Sequence, residues 1–254
     1  MKKIIKKIIK KIIEKTGYTV VNKKYLYLSN IYGDKEFIKI YRKCKPYTMF
    51  SIEKCFALYK AVEYICKNKI PGDMVECGVY KGGSSMIMAM ALLKYNETNR
   101  NIWLYDTFAG MSEPTDVDVK INSGESAKIK WKEKKEGNIN KWCYASLEEV
   151  KGNMFLTGYP KNKIRFIKRM VEETIPNTVP EKISLLWLDT DWYESTKHEM
   201  IYLFPRLVSL GVLEIDDYGS WKGSKMGIDE YIEENNIKIL LNRINGSSVV
   251  GIKS

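Results

Sequence analysis

One histidine, His198, is all that 254 residues hold. A Ser-His-Asp or Cys-His hydrolase needs its imidazole beside a nucleophile, and no matched nucleophile stands near this one, so triad chemistry is excluded. His198 is expected to pack at a surface and not to catalyse. Cysteine is sparse as well: Cys44, Cys55, Cys66 and Cys77 fall eleven apart, Cys143 stands alone, and no C-x-x-C pair offers a zinc site. Scattered, odd-numbered thiols predict reduced cysteines and a cytoplasmic location. No apolar run reaches the roughly 18 residues that span a membrane. The basic N-terminus lacks the apolar core and cleavage site of a secretory signal, so no leader is expected. Arginines interleaved with aromatics form no stripe, which speaks against nucleic acid as a partner.

What is present begins with charge. Residues 1–17 carry +6 of the net +11, leaving the remaining chain only mildly basic. Within them KKIIKKIIKKIIEK, residues 2–15, puts isoleucines on one helical stripe and lysines on the other. Such a helix suits an anionic membrane surface, as a peripheral contact at the inner face. It equally suits packing on its own domain or on a second subunit, and a homo-oligomer is expected. Hydrophobic content of 44% is ordinary for one large α/β domain.

From residue 18 to 50 the chain predicts loop with a short helix. Ser51 then caps a helix that closes before Pro71-Gly72. Asp73–Glu76 reads as a strand running into Cys77-Gly78-Val79-Tyr80-Lys81-Gly82-Gly83-Ser84-Ser85, with a helix over 86–95. Strand, glycine loop and helix make a nucleotide or cofactor loop, because glycine admits close backbone approach and the helix start offers free N–H groups. The spacing is G-x-x-x-G-G, neither G-x-G-x-x-G nor a P-loop. The next strand, Asn101–Tyr105, ends in Asp106-Thr107, an acid placed to bond a ribose diol or to cap a helix. Residues 111–146 are polar and irregular, the mark of a lid or binding loop, and hold Trp131, Trp142 and Tyr144.

Beyond the lid, Ser146 caps another helix, Ile164–Lys168 is a strand, and Val171–Ile175 is a short helix. The apolar run Leu185–Leu188 fits a strand buried on both faces and ends in Asp189-Thr190-Asp191. A helix over 195–207 follows, then a strand, Gly211–Ile215, that ends in Asp216-Asp217. If the two strands are neighbours, up to four carboxylates converge where a parallel sheet binds its ligands. Such a cluster calls for a hard cation of the magnesium type. After a helix over 225–233, Ile237–Leu241 and Ser248–Ile252 predict an antiparallel hairpin across Arg243–Gly246.

Taken together, VECGVYKGGSS, WLYDTFAGM, LLWLDTDWYESTKHE, LFPRL and IDDYGSW resemble the TylF/MycF family of macrolide sugar O-methyltransferases over roughly residues 50–235. The resemblance implies a Rossmann-like class I methyltransferase fold, a mostly parallel seven-stranded sheet with a C-terminal antiparallel hairpin, and the expected N-terminal helical extension lies outside the resemblance. Residues 1–50 are expected to be extension and 51–254 the methyltransferase domain, and the resemblance implies S-adenosylmethionine and Mg2+ as cofactors. By the same resemblance Asp189, Asp216 and Asp217 match the metal ligands and Asp191 the general base. Asp106, followed by Thr107, matches the ribose acid. Glu76, Gly78, Val79, Gly82, Gly83 and Ser84 match the pocket for the methionine end of the cofactor. The acceptor it implies is a small molecule or glycan bearing a sugar hydroxyl, polysaccharide included.

Two other classes compete on the residues alone. A Mg2+-dependent phosphoesterase or nuclease explains the acids but not the glycine loop and its following acid. A membrane-surface binding protein led by the basic repeat explains neither.

Overall fold

The computed structural model describes residues 29–254, preceded by the single positions Ile9, Ile13 and Thr16. The basic repeat over 2–15, with the membrane or subunit contact expected of it, otherwise lies outside the described residues.

Helices α1 (Ser29–Gly33), α2 (Lys35–Cys44) and α3 (Ile52–Lys67) lead into strand β1 (Asp73–Cys77), helix α4 (Gly83–Lys94) and strand β2 (Ile102–Asp106). Next come α5 (Ala127–Lys134), the short strands β3 (Lys135–Glu136) and β4 (Ile139–Asn140), α6 (Leu147–Phe155), β5 (Ile164–Lys168) and α7 (Val171–Thr174). The chain closes with β6 (Ile183–Leu188), α8 (Tyr193–Tyr202), β7 (Leu207–Ile215), α9 (Lys222–Glu234), β8 (Asn242–Arg243) and β9 (Val249–Ile252).

Seven strands form one sheet in the order β5-β2-β1-β6-β7-β9-β8. The first five are parallel, β9 is antiparallel to β7, and β8 is antiparallel to β9. The order reverses between β1 and β6, the switch point at which open α/β sheets bind ligands. Every residue of β6 is buried, as its unbroken apolar run requires of a central strand. Successive residues serve opposite faces: Leu185 and Trp187 join the core under α3 and α4, Leu186 and Leu188 the core under α8 and α9. Ile31, Phe37, Ile40 and Cys44 belong to the first core, so residues 29–44 pack into the domain that follows.

The caps fall where side-chain chemistry places them. Ser51 accepts from the Lys54 N–H and Ser146 from the Glu149 N–H at 3.2 Å.

The hairpin needs correction. Its first arm is the two-residue β8, not Ile237–Leu241, which takes no regular structure. The alternation there serves packing: Ile237, Ile239 and Leu241 lie against the lower core, and Ile239 covers the space beside Gly251. The five cysteines are free thiols. Among the described residues no helix is long and apolar enough to cross a membrane.

Candidate active site

The loops after β1, β2, β6 and β7 open into one cavity of about 590 Å³. On one side of it lies the glycine loop. Gly78 has φ +84°, and a Cβ there would meet the Asp189 carbonyl oxygen at 2.0 Å, so glycine is required by close approach to the end of β6. The Asp189 N–H returns a bond to the Cys77 carbonyl at 2.8 Å, which locks the two strand ends together.

Asp106 ends β2 at the cavity wall, as the sequence places it. Its Oδ2 accepts from the Val79 N–H at 2.7 Å and the Tyr80 N–H at 3.2 Å, while Oδ1 accepts from the Phe108 N–H at 2.6 Å. The carboxylate thus staples the β1 and β2 loops to each other. Burial raises its pKa, and these N–H groups act in the opposite sense. Thr107 also lines the cavity, its hydroxyl donating to the Gly110 carbonyl at 2.6 Å.

Glu76, Ser84 and Gly83 sit under the loop, away from the cavity lining. Glu76 is wholly buried and accepts from the Ser84 and Ser85 hydroxyls at the start of α4. Burial pushes its carboxyl up to about 8, against the pull of the two serines. A Cβ on Gly83 would strike Thr48 and the Tyr47 carbonyl, so that glycine serves packing against the segment before α3. Gly82, at φ +86°, forms the left-handed N-cap of α4, and the Val79 carbonyl accepts its N–H at 2.9 Å.

On the other side β6 and β7 pair in parallel, and their ends bring the acids together. One carboxylate oxygen each from Asp189, Asp216 and Asp217 lies within 4.8 Å of the others. Asp191 lines the same cavity, with the Asp217 carboxyl and the Trp221 indole as neighbours. Burial and then mutual repulsion drive Asp189 and Asp217 well above the usual carboxylate range. Burial likewise pushes Asp191 up to about 7, with the neighbouring Asp217 carboxyl and Trp221 indole acting in the other sense. Asp191 has φ +66°, and the Trp192 N–H bonds the Thr190 carbonyl across it at 2.8 Å. Tyr80, Cys143 and Arg169 are also left-handed non-glycine residues, and all four line the cavity. Backbone strain of this kind gathers at functional sites.

The segment 111–146 contributes Met111, Lys130, Trp142 and Tyr144 to the cavity wall. It is more ordered than its sequence predicts, holding α5 and the β3–β4 hairpin. Trp142, Trp192 and Trp221 pack edge to face with centroids 5.1–6.0 Å apart. Asp118, buried, accepts from the Tyr193 N–H at 2.9 Å and so pins the segment to the start of α8. His198 stays outside the cavity lining, its Nε2 2.9 Å from the Ile175 carbonyl and its ring on Tyr202.

The residue that sequence reading missed is Lys54. Its Nζ lies 2.7 Å from Asp216 Oδ1, and it lines the cavity. Burial alone lowers its pKa, but Asp216, Asp189 and Asp217 outweigh that and raise it. The available signal was a lysine where a capping-box acid belongs, directly before the buried Cys55.

The profile of the macrocin-O-methyltransferase (TylF) family matches residues 41–251. A tetracenomycin-C rhamnosyl 4'-O-methyltransferase of Streptomyces olivaceus is 29% identical over 80% of this chain and 74% of its own. A mycinamicin III 3''-O-methyltransferase of Micromonospora griseorubida is 28% identical over 68% of this chain and 65% of its own. Among solved structures the O-methyltransferase NovP superposes with a TM-score of 0.70 at 27% identity, over 82% of both chains.

Proposed function

From the premise that the chain belongs to the macrocin O-methyltransferase (TylF) family, we propose that it methylates a hydroxyl of a sugar or glycan acceptor, with Mg2+ holding the acceptor and Asp191 taking the proton. That it is an O-methyltransferase dependent on S-adenosylmethionine follows from the family. Metal, base and acceptor are the proposal. The phosphoesterase reading of the acids gives way to the family.

The observation that carries the proposal is the contact of Gly78 with the Asp189 backbone. It puts the glycine loop and the acidic cluster side by side in one cavity, which supports a donor and an acceptor meeting at the switch point. The cavity is of ordinary size for a small-molecule site. Three carboxylates within 4.8 Å are hard oxygen donors, the set that Mg2+ takes, so the residues fit the ion. Asp189, Asp216 and Asp217 would hold it. Bound there, Mg2+ supplies Lewis acidity that lowers the pKa of a coordinated hydroxyl. S-adenosylmethionine would lie along Gly78, Tyr80, Asp106 and Thr107, all on the cavity wall.

The chain's own contribution is placement and proton transfer. Asp106 staples the two loops that form the cofactor side. Trp142 and Trp221 wall the acceptor side with flat apolar surface, against which a sugar ring can lie. Asp191 stands on the cavity wall beside the cluster, and its carboxyl removes the hydroxyl proton as the methyl group transfers. Its role is worth roughly 10²–10⁴-fold in rate. The test is transfer of labelled methyl from S-adenosylmethionine to a panel of glycosides and nucleotide sugars, with Mg2+ or excess EDTA. Product that forms only with Mg2+ supports the reading, and full activity in EDTA sinks the metal.

A further inference from the structure

Lys54 has no part in the chemistry described so far, yet it is built into the cluster. It stands in the first turn of α3 with 9% of its surface exposed. Phe50 flanks its ammonium at 5.2 Å and is itself stacked on Trp187. The Nζ reaches Asp216 Oδ1 at 2.7 Å, and the Ser248 hydroxyl reaches the same oxygen at 2.8 Å. Two donors on Oδ1 fix the rotation of the carboxylate and leave Oδ2 to the cluster. Both donors come from segments remote in sequence from β7, one at the start of α3 and one from the turn before β9. The Asn245 side chain ties that turn to Ser51 at 3.3 Å, so the two segments are held in one place. Four crowded acids, Asp216 and Asp217 buried and Asp189 and Asp191 half-buried, repel, and a lysine is a compact charge that offsets one of them without leaving the fold.

We propose that Lys54 is the resident counter-ion of the acidic cluster: it holds Asp216 by one oxygen, keeps the carboxylates assembled when no metal is bound, and lowers the affinity of the cluster for a divalent ion. The inference rests on the metal reading above, and it assigns Lys54 as a positioning residue, not a catalytic one. A divalent ion and the ammonium share the same acids, so each disfavours the other. Loss of the lysine charge therefore strengthens metal binding while weakening the metal-free fold.

The experiment titrates Mn2+ into the full chain without acceptor, reading free ion by electron paramagnetic resonance, and repeats the melting curve with and without Mn2+. Lys54→Met should bind Mn2+ about tenfold more tightly than wild type, the scale of one nearby charge removed. Lys54→Arg, which keeps the charge, should bind as wild type does. Metal-free Lys54→Met should melt below wild type and recover with Mn2+. Equal or weaker Mn2+ binding by Lys54→Met overturns the inference and leaves the metal reading intact. If Lys54→Met fails to fold even in saturating Mn2+, the ion cannot replace the ammonium and the inference is again overturned. No Mn2+ binding by wild type up to about 1 mM removes the metal reading itself.

Discussion

Asp189 and Asp191 are two residues apart, and an extended chain would aim both side chains the same way. The turn at Asp191, with φ +66°, breaks that equivalence: Asp189 stays with Asp216 and Asp217, while Asp191 turns to Asp217 and Trp221. Different roles should then separate by mutation. Asp189→Asn is expected to weaken the apparent affinity for Mg2+. Asp191→Asn should keep that affinity near wild type and lower kcat by about 10²–10⁴-fold. A Mg2+ titration of turnover reads both, and near-normal kcat in Asp191→Asn at saturating Mg2+ would assign the base elsewhere. Glu76 makes a separate case at this scale, because its burial bears on stability. Its carboxyl, ordinarily near 4.5, is pushed up to about 8 in the fold. The folded state therefore favours the protonated form. That contribution is fully present below about 4.5, declines as pH rises, and is gone above about 8, a span on the order of 5 kcal/mol. Glu76→Gln, which stays neutral, should gain melting temperature relative to wild type steadily from pH 5 to pH 8. A difference that stays constant across that range would mean that Glu76 is ionised throughout in the fold.

At the scale of elements, what was legible in the chain follows from how local each signal is. The strands β1, β2, β6 and β7 were readable because burial on both faces leaves short apolar runs with acids or glycine at their ends. The acids Asp189, Asp216 and Asp217 were legible for the same reason, since strand ends fix where they meet. Lys54 was not, because its partner lies across the cavity and only packing brings α3 over β7. Helix α5 was hidden by its composition: AKIKWKEK buries only Ala127 and Trp131, so it shows no apolar stripe. The misplaced hairpin arm has a similar cause, since Ile237, Ile239 and Leu241 alternate to pack on the core without pairing. The contact between the β1 loop and β6 was partly legible, as glycine, but its reason was not. Gly78→Ala puts a methyl group 2.0 Å from the Asp189 carbonyl and must push the loop and the strand end apart. This variant should weaken S-adenosylhomocysteine binding and Mg2+ activation together, each by about tenfold or more. Calorimetry and a metal titration of turnover check it. A loss confined to one ligand would show that the two loops move independently.

For the whole molecule, the sheet order decides which functions are coupled. The strand order reverses between β1 and β6, so the β1 and β2 loops serve one side of the cavity and the β6 and β7 loops the other. The helices on the two faces bury the rest of the sheet, leaving the strand ends open to the cavity. Coupling between the sides runs through backbone, at Gly78 with Asp189 and at the Cys77 carbonyl with the Asp189 N–H. Side chains further along β7 stand outside that contact. Asp216 bonds instead to Lys54 and Ser248. Removing the charge of Asp216 and Asp217 should thus spare the cofactor side. The double variant Asp216→Asn with Asp217→Asn is expected to bind S-adenosylhomocysteine within about threefold of wild type while losing Mg2+-dependent methyl transfer. It also takes from the buried Lys54 the carboxylate it pairs with, so its metal-free melting temperature should fall below that of wild type. Calorimetry, a methyl-transfer assay and a melting curve on the same preparation give the answer. Loss of S-adenosylhomocysteine binding alongside activity would mean that the acidic cluster shapes the cofactor side as well, and that the cavity works as one undivided site.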